Sequence, residues 1–304
     1  MKKLSLAYFG ANEHSAWFLA KLLQDKEVSI KVNLVVTQPD RKVGRKQILT
    51  PNPVKLVAEK NVILVSEAHT ESGRSWTSQD DLKKTLSQID LAFVLFFGQI
   101  VSKQILDLPK YGFWNLHFSH LPKYRGGLPH VAALINGDKK VGLTIFKMDT
   151  KLDHGPLIVQ DEIVVDPKDR RPDVEEKATQ KGYEMFKRLI NRLRIANYEL
   201  KLKPQDHSQA TYTKILKKSD SFIDIENLKL KIANSPQELF NLFRGFYPWP
   251  GIWTLVPSQK QPGRLRLKIT DMDLVDGKIV LKTVQLEGKK EVDFKIFNTA
   301  YNLL

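Results

Sequence analysis

Apolar positions along the chain come in short runs of two periods. Residues 3–10 (KLSLAYFG) form a compact apolar run closed by glycine, the pattern of a buried strand. Residues 15–23 space Trp17, Leu19, Leu22 and Leu23 for one helical face. Strand-like runs follow at 32–36, 62–65 and 90–97, with helical patterns at 53–60 and 80–87 between them. Such alternation predicts an α/β fold with a mostly parallel, Rossmann-like sheet. Residues 113–118 (FWNLHF) alternate strictly, so Asn115 and His117 project from one face of a strand. Residues 141–148 and 157–165 are again strand-like, and the second run stops at Asp166-Pro167. Across 174–196, Ala178, Met185, Leu189, Ile190 and Leu193 mark a long amphipathic helix that closes the first domain.

The pattern then changes. Residues 197–218 are polar and basic with no sustained period, and strands at 252–256, 265–269, 278–284 and 292–296 follow, with one helix at 236–243. That arrangement predicts a small C-terminal β-barrel of the oligonucleotide/oligosaccharide-binding (OB) type. The domains expected are therefore 1–197, a basic linker at 198–218, and 219–304. Trp249 and Trp253 suit base stacking or, more ordinarily, core packing. Residues 66–81 form a polar surface excursion with no assigned role.

Composition narrows the partners. A net charge of +14 points to an anionic partner, nucleic acid before membrane surface, although a lysine-rich solvated surface would look the same. The chain has no cysteine, which excludes disulfides, thiolate metal sites and a cysteine nucleophile and fits a reducing compartment. The first apolar run is too short for a signal-peptide core or a membrane span, and no longer run follows. The opening strand–Gly–helix unit lacks G-x-G-x-x-G, so a dinucleotide site is not expected.

The chemistry concentrates between residues 113 and 158. After Asn115 and His117 comes a loop with Pro122, Gly126, Gly127 and Pro129, and residues 149–155 form a polar turn with Asp149 and Asp153. An Asn amide donates without titrating, which suits an oxyanion. A His adds a second donor or a charge, and an Asp holds an imidazolium and moves a proton. Singly, Asn115 is a turn residue, His117 a core histidine and Asp153 a helix cap. As a set they suit attack of a substrate amine on an acyl donor. His117 and His120 also stand as a metal pair, but no third ligand lies at a recognisable spacing, so no metal is expected.

The segment N-x-H-x-S-x-L-P-K-Y-R-G, followed by I-N-G-D, G-x-T-I and M-D-x-x-L-D-x-G-P-L-I, resembles the folate-dependent formyltransferase family. The resemblance implies a catalytic trio of Asn115, His117 and Asp153, with 10-formyltetrahydrofolate as donor. It implies a folate-binding segment Ser119, His120, Leu121 and Pro122. A loop over the pterin would comprise Phe97, Gly98, Gln99 and Ile100. The chain departs from the family pattern at His120, usually Leu, and at Phe118, usually Pro.

Q-P-D-R-x-x-G-R at 38–45 resembles the tRNA-contacting insertion of those family members whose acceptor is methionyl initiator tRNA. That implies tRNA contacts from Arg41, Lys42, Arg45 and Lys46 on a proline-bounded loop, with the linker lysines as a second phosphate-contacting surface. RGFYPWPGIW at 244–253 is similar to the segment opening the family's C-terminal domain, with Tyr247 in place of Asn. The resemblance implies a monomeric bacterial cytoplasmic enzyme of translation initiation. A sugar-nucleotide N-formyltransferase would share the trio but lack this basic loop. A non-catalytic RNA-binding module would keep the charge but have no use for the trio.

Overall fold

A computed structural model describes residues 3–44, 46–68, 80–193, 195, 199–259 and 262–303. The chain divides into two compact units. One contains Met1–Gly127, Gly142–Ile163 and Glu176–Tyr212; the other contains Leu128–Val141, Val164–Glu175 and Thr213–Leu304.

In chain order the elements begin β1 (Leu4–Gly10), α1 (Glu13–Gln24), β2 (Ile30–Thr37), β3 (Arg41–Val43), β4 (Ile48–Thr50), α2 (Pro53–Lys60), β5 (Leu64–Glu67) and α3 (Asp80–Leu86). They continue with β6 (Leu91–Leu95), α4 (Lys103–Leu106), β7 (Phe113–His117), α5 (Pro129–Asn136), β8 (Lys140–Lys147), β9 (Leu157–Val164) and α6 (Arg171–Leu193). The remainder is α7 (Ile225–Asn234), α8 (Pro236–Phe246), β10 (Trp253–Pro257), β11 (Arg264–Val275), β12 (Lys278–Leu286), β13 (Glu291–Asp293) and α9 (Phe294–Tyr301).

The main sheet runs β5-β2-β1-β6-β7-β8-β9. Its pairs are parallel from β5 through β7, and β7 meets β8 antiparallel. Strand alternation supplies both faces with core. On one face the ring of Phe93 lies 5.1 Å from Phe18 of α1 and 4.3 Å from Phe186 of α6. On the other, Phe9, Val94 and Phe113 pack with Leu82, Leu86 and Ile105. Truncating such a buried ring typically costs about 3–5 kcal/mol. Since β6 and β7 are parallel neighbours, their C-terminal ends open on the same edge, where sheets of this kind place ligands. The loop after β6 carries Phe97–Ile100, and β7 ends at His117.

The second unit holds a four-stranded antiparallel sheet in the simple order β10-β11-β12-β13. Among the described residues the pairing draws an open meander; no ladder joins β10 to β13. Leu239, Phe243, Ile252, Val256, Leu267, Met272, Val284 and Phe297 form its core.

Several local expectations give way to the structure. Arg41–Val43 and Ile48–Thr50 pair as two antiparallel strands, β3 with β4, where a loop was expected. The strand expected at 292–296 ends at Asp293, whose carboxylate accepts the Lys295 and Ile296 amides and starts α9. Phe297 then stacks on Tyr301 at 4.3 Å, an i,i+4 contact that a strand cannot make. The helices α4, α5 and α7 lie in stretches with no sequence assignment. Trp17, placed on the apolar face of α1, is 41% exposed. The tip of the 66–81 excursion, residues 69–79, lies outside the described residues, as does Arg45.

Candidate active site

Asn115 and His117 project from one face of β7, where Asn115 pairs with Phe146 and His117 with Thr144 of β8. His117 is 6% exposed, and its ring meets Phe146 edge-on at 6.4 Å. Its Nε2 lies 3.0 Å from the Tyr124 carbonyl; since a carbonyl only accepts, Nε2 carries the proton. Its Nδ1 faces the Asp153 carboxylate at 3.7 Å. At that separation the carboxylate acts on the ring as a charge and not as a hydrogen-bond acceptor. Asn115 is half-buried, and its amide makes no hydrogen bond with the described residues.

Asp153 is fixed tightly. Its Oδ2 accepts the Gly126 amide at 2.7 Å, and its backbone sits at φ +46°, the left-handed region that Asp tolerates better than most residues. Gly155 ends the turn because a Cβ there would lie 1.9 Å from the Lys147 carbonyl. Tyr124 at φ +59° and Phe96 at φ +52° also occupy this region. Strained backbone of this kind persists where surrounding contacts over-determine it, and it gathers at functional sites.

The segment after His117 is anchored by Thr144. Its hydroxyl donates to the Ser119 carbonyl at 2.7 Å and accepts from the Leu121 amide at 3.2 Å and Gln160 Nε2 at 3.0 Å. All three capacities of the hydroxyl are filled. Ser119 Oγ donates to the Lys123 carbonyl at 2.6 Å, and Gln160 also donates to the Leu121 carbonyl at 2.9 Å, beside Pro122. His120 is exposed, while its backbone passes so close to Gly142 that a Cβ there would come within 2.2 Å of the His120 nitrogen. Phe118 is buried against Phe96, with ring centroids 5.0 Å apart.

At the end of β6, Phe97 is buried and its carbonyl accepts from Gln38. Gly98 takes φ +71°, and Ile100 is exposed. Gln99 Oε1 is buried and has no hydrogen-bond partner among the described residues, an acceptor placed for a ligand N–H. That acceptor beside a glycine permitting close approach fits a folate ring. On the hairpin, Arg41, Lys42 and Lys46 are exposed. Its base is held by Lys55, which bridges Asp40 at 3.2 Å and Glu67 at 2.7 Å.

Three residues escaped assignment from sequence. Gln205 and His207 lay in the stretch assigned to the linker, yet residues 199–212 lie within the first unit. Arg125 lay inside the quoted motif without a role, and it is 2% exposed. An isolated glutamine in a polar segment gives no local signal. Among the described residues, no group of three or more His, Cys, Asp or Glu is arranged to hold a metal ion, and no helix is long and apolar enough to cross a membrane.

Residues 6–190 match the family described as formyl transferase. The methionyl-tRNA formyltransferase of Geobacter metallireducens is 32% identical over 313 residues, spanning 98% of this chain and 96% of that protein. The methionyl-tRNA formyltransferase of Thermotoga maritima is 33% identical over 301 residues, spanning 96% and 93% respectively. In fold, the methionyl-tRNA formyltransferase from Clostridium thermocellum superimposes with a TM-score of 0.61 at 14% identity, over 93% of this chain and 98% of that one. The chain belongs to the formyl transferase family, and these two methionyl-tRNA formyltransferases resemble it in sequence along nearly its whole length.

Proposed function

We propose that this protein transfers the formyl group of 10-formyltetrahydrofolate to the α-amine of methionyl initiator tRNA, for translation initiation. The observation that carries the reading is the Asp153 carboxylate 3.7 Å from His117 Nδ1, on the strand face that also carries Asn115, whose amide has no hydrogen-bond partner among the described residues. No covalent nucleophile is needed, because the acceptor amine is itself the nucleophile.

The donor supplies an electrophilic formyl carbon, and residues 97–100 and 119–122 hold it. The neutral methionyl amine attacks, and negative charge grows on the formyl oxygen. Asn115 donates to that oxygen. Its amide, without a hydrogen bond among the described residues, needs no reorganisation to do so. His117 contributes positive charge, and it meets the oxygen directly only by sharing or releasing its Nε2 bond to the Tyr124 carbonyl. Asp153 stabilises the imidazolium and receives the proton lost by the amine. Returned to the departing nitrogen as the carbon–nitrogen bond of the donor breaks, that proton leaves tetrahydrofolate and N-formylmethionyl-tRNA.

Residues 1–197 serve catalysis in this reading together with 199–212 of the stretch expected as linker, which lie in the same unit, and 219–304 bind tRNA. Arg41, Lys42, Arg45 and Lys46 contact the phosphate backbone. The enzyme acts as a monomer in a bacterial cytoplasm.

The experiment is formyl transfer by the purified chain. It would be given 10-formyltetrahydrofolate with methionyl initiator tRNA, and in parallel with methionyl elongator tRNA and an amino-sugar nucleotide. Product on initiator tRNA alone is expected. Product on the sugar alone would move the chain to another acceptor class. tRNA binding without product anywhere would leave an RNA-binding module.

A further inference from the structure

Asp153 is gripped at both ends from elsewhere in the chain. Its carboxylate takes the Gly126 amide. Its main-chain carbonyl accepts from Nε2 of Gln205 at 3.0 Å, and the same Nε2 donates to the Gly155 carbonyl at 2.7 Å. Gln205 lies 52 positions away and is 6% exposed. Its Oε1 accepts from Nη2 of buried Arg125 at 2.7 Å, and that Nη2 also reaches His207 Nδ1 at 2.8 Å. Arg125 directly precedes Gly126. One end of the clamp therefore meets the Asp153 carboxylate through Gly126, and the other meets its carbonyl through Gln205.

The chemistry suits an amide and little else. Gln205 accepts from a guanidinium while donating to two carbonyls. Glutamate accepts from Arg125 but donates to neither carbonyl. Methionine keeps approximate length and does neither. Asp153 also occupies a backbone region that needs outside support. Both bonds from Gln205 land on the turn that ends at Gly155, where the backbone already lies against Lys147.

We propose that Gln205, oriented by Arg125, is a positioning residue that sets the Asp153 carboxylate against His117 for formyl transfer. This rests on the function proposed above. Displacing a catalytic group by about an ångström costs on the order of a hundredfold in rate, so a hundredfold is the scale expected.

The test uses the full chain carrying Gln205→Glu or Gln205→Met, each made alone and in an Asp153→Ala background. Single-turnover rates, KM for donor and acceptor, and thermal melting are read for all. A residue acting through Asp153 slows transfer about a hundredfold by itself, leaves both KM values within about twofold, and adds little once Asp153 is gone. Gln205→Glu transferring within threefold of the unaltered chain overturns the proposal. So does an equal fold-loss in both backgrounds. Loss of cooperative melting in both variants assigns Gln205 to folding and also overturns it. If the unaltered chain formylates only an amino sugar, the proposed acceptor fails, while the same comparison on that sugar still decides the role of Gln205. An unaltered chain that formylates nothing overturns both.

Discussion

Replacing Asp153 by asparagine separates charge from shape at the centre of the site. Asparagine tolerates φ +46° as aspartate does, and its carbonyl oxygen still accepts the Gly126 amide. What disappears is the negative charge 3.7 Å from His117 Nδ1. Unit charges at that separation, in an effective dielectric of about 20, interact by about 4.5 kcal/mol. At about 1.4 kcal/mol per decade that sets a ceiling near three decades in rate. Solvent reaching the pair and the remaining donors lower it, so Asp153→Asn should transfer formyl about 10²- to 10³-fold more slowly. The assay is single-turnover transfer from 10-formyltetrahydrofolate to methionyl initiator tRNA, with tRNA binding measured separately. Melting should stay within about 1 kcal/mol of the unaltered chain, since the hydrogen bond and backbone survive. Turnover within tenfold would refute the charge argument. A matching loss of tRNA affinity would place Asp153 in binding.

Three further outcomes follow from the geometry. Asn115→Ala removes a donor that makes no other hydrogen bond among the described residues and should lower kcat about 10²- to 10³-fold, with donor KM little changed; steady-state kinetics decide it. Reversing two exposed hairpin cations, Arg41→Glu with Lys42→Glu, should weaken tRNA binding more than tenfold. The slope of log affinity against log salt should become shallower by about one to two. An unchanged slope would take these two residues off the phosphate backbone. Asp25 accepts from Lys187 at 2.9 Å, from the Tyr183 hydroxyl at 2.7 Å and from the Glu27 amide. These contacts, the Lys187 ammonium foremost, hold its carboxyl at about 2, below the ordinary 3.8. The folded carboxylate thus stays ionised where the unfolded one binds a proton. Its stabilisation is present above about pH 4 and is lost as pH falls toward 2. The urea-stability gap between the unaltered chain and Asp25→Asn should close over that window, and a pH-independent gap would show that Asp25 acts otherwise.

Much of this protein is written in local pattern. Buried strands such as β6 are short all-apolar runs, and β7 alternates so strictly that Asn115 and His117 share a face on inspection. Elements were missed where local signals compete. The hairpin at 41–50 is exposed on both strands, so no apolar alternation marks it. Residues 294–301 carry strand-favouring Phe and Ile, and only the Asp293 cap and the Phe297–Tyr301 contact turn them into a helix. α5 follows a proline- and glycine-rich loop that gave it no assignment.

By itself, then, the sequence determined the α/β order and the excess of positive charge, the one from local periodicity and the other from composition, and it carried the motifs from which the candidate trio is proposed. The tertiary structure alone decided how far Asp153 stands from His117, that the Asn115 amide is uncommitted among the described residues, and that a glutamine in a polar stretch holds the Asp153 turn. The β10-β11-β12-β13 order of the C-terminal sheet belongs with these. Each depends on groups that meet only after the chain has folded. Every non-proline peptide group offers the same donor and acceptor, so no local pattern announces which distant side chain will claim it.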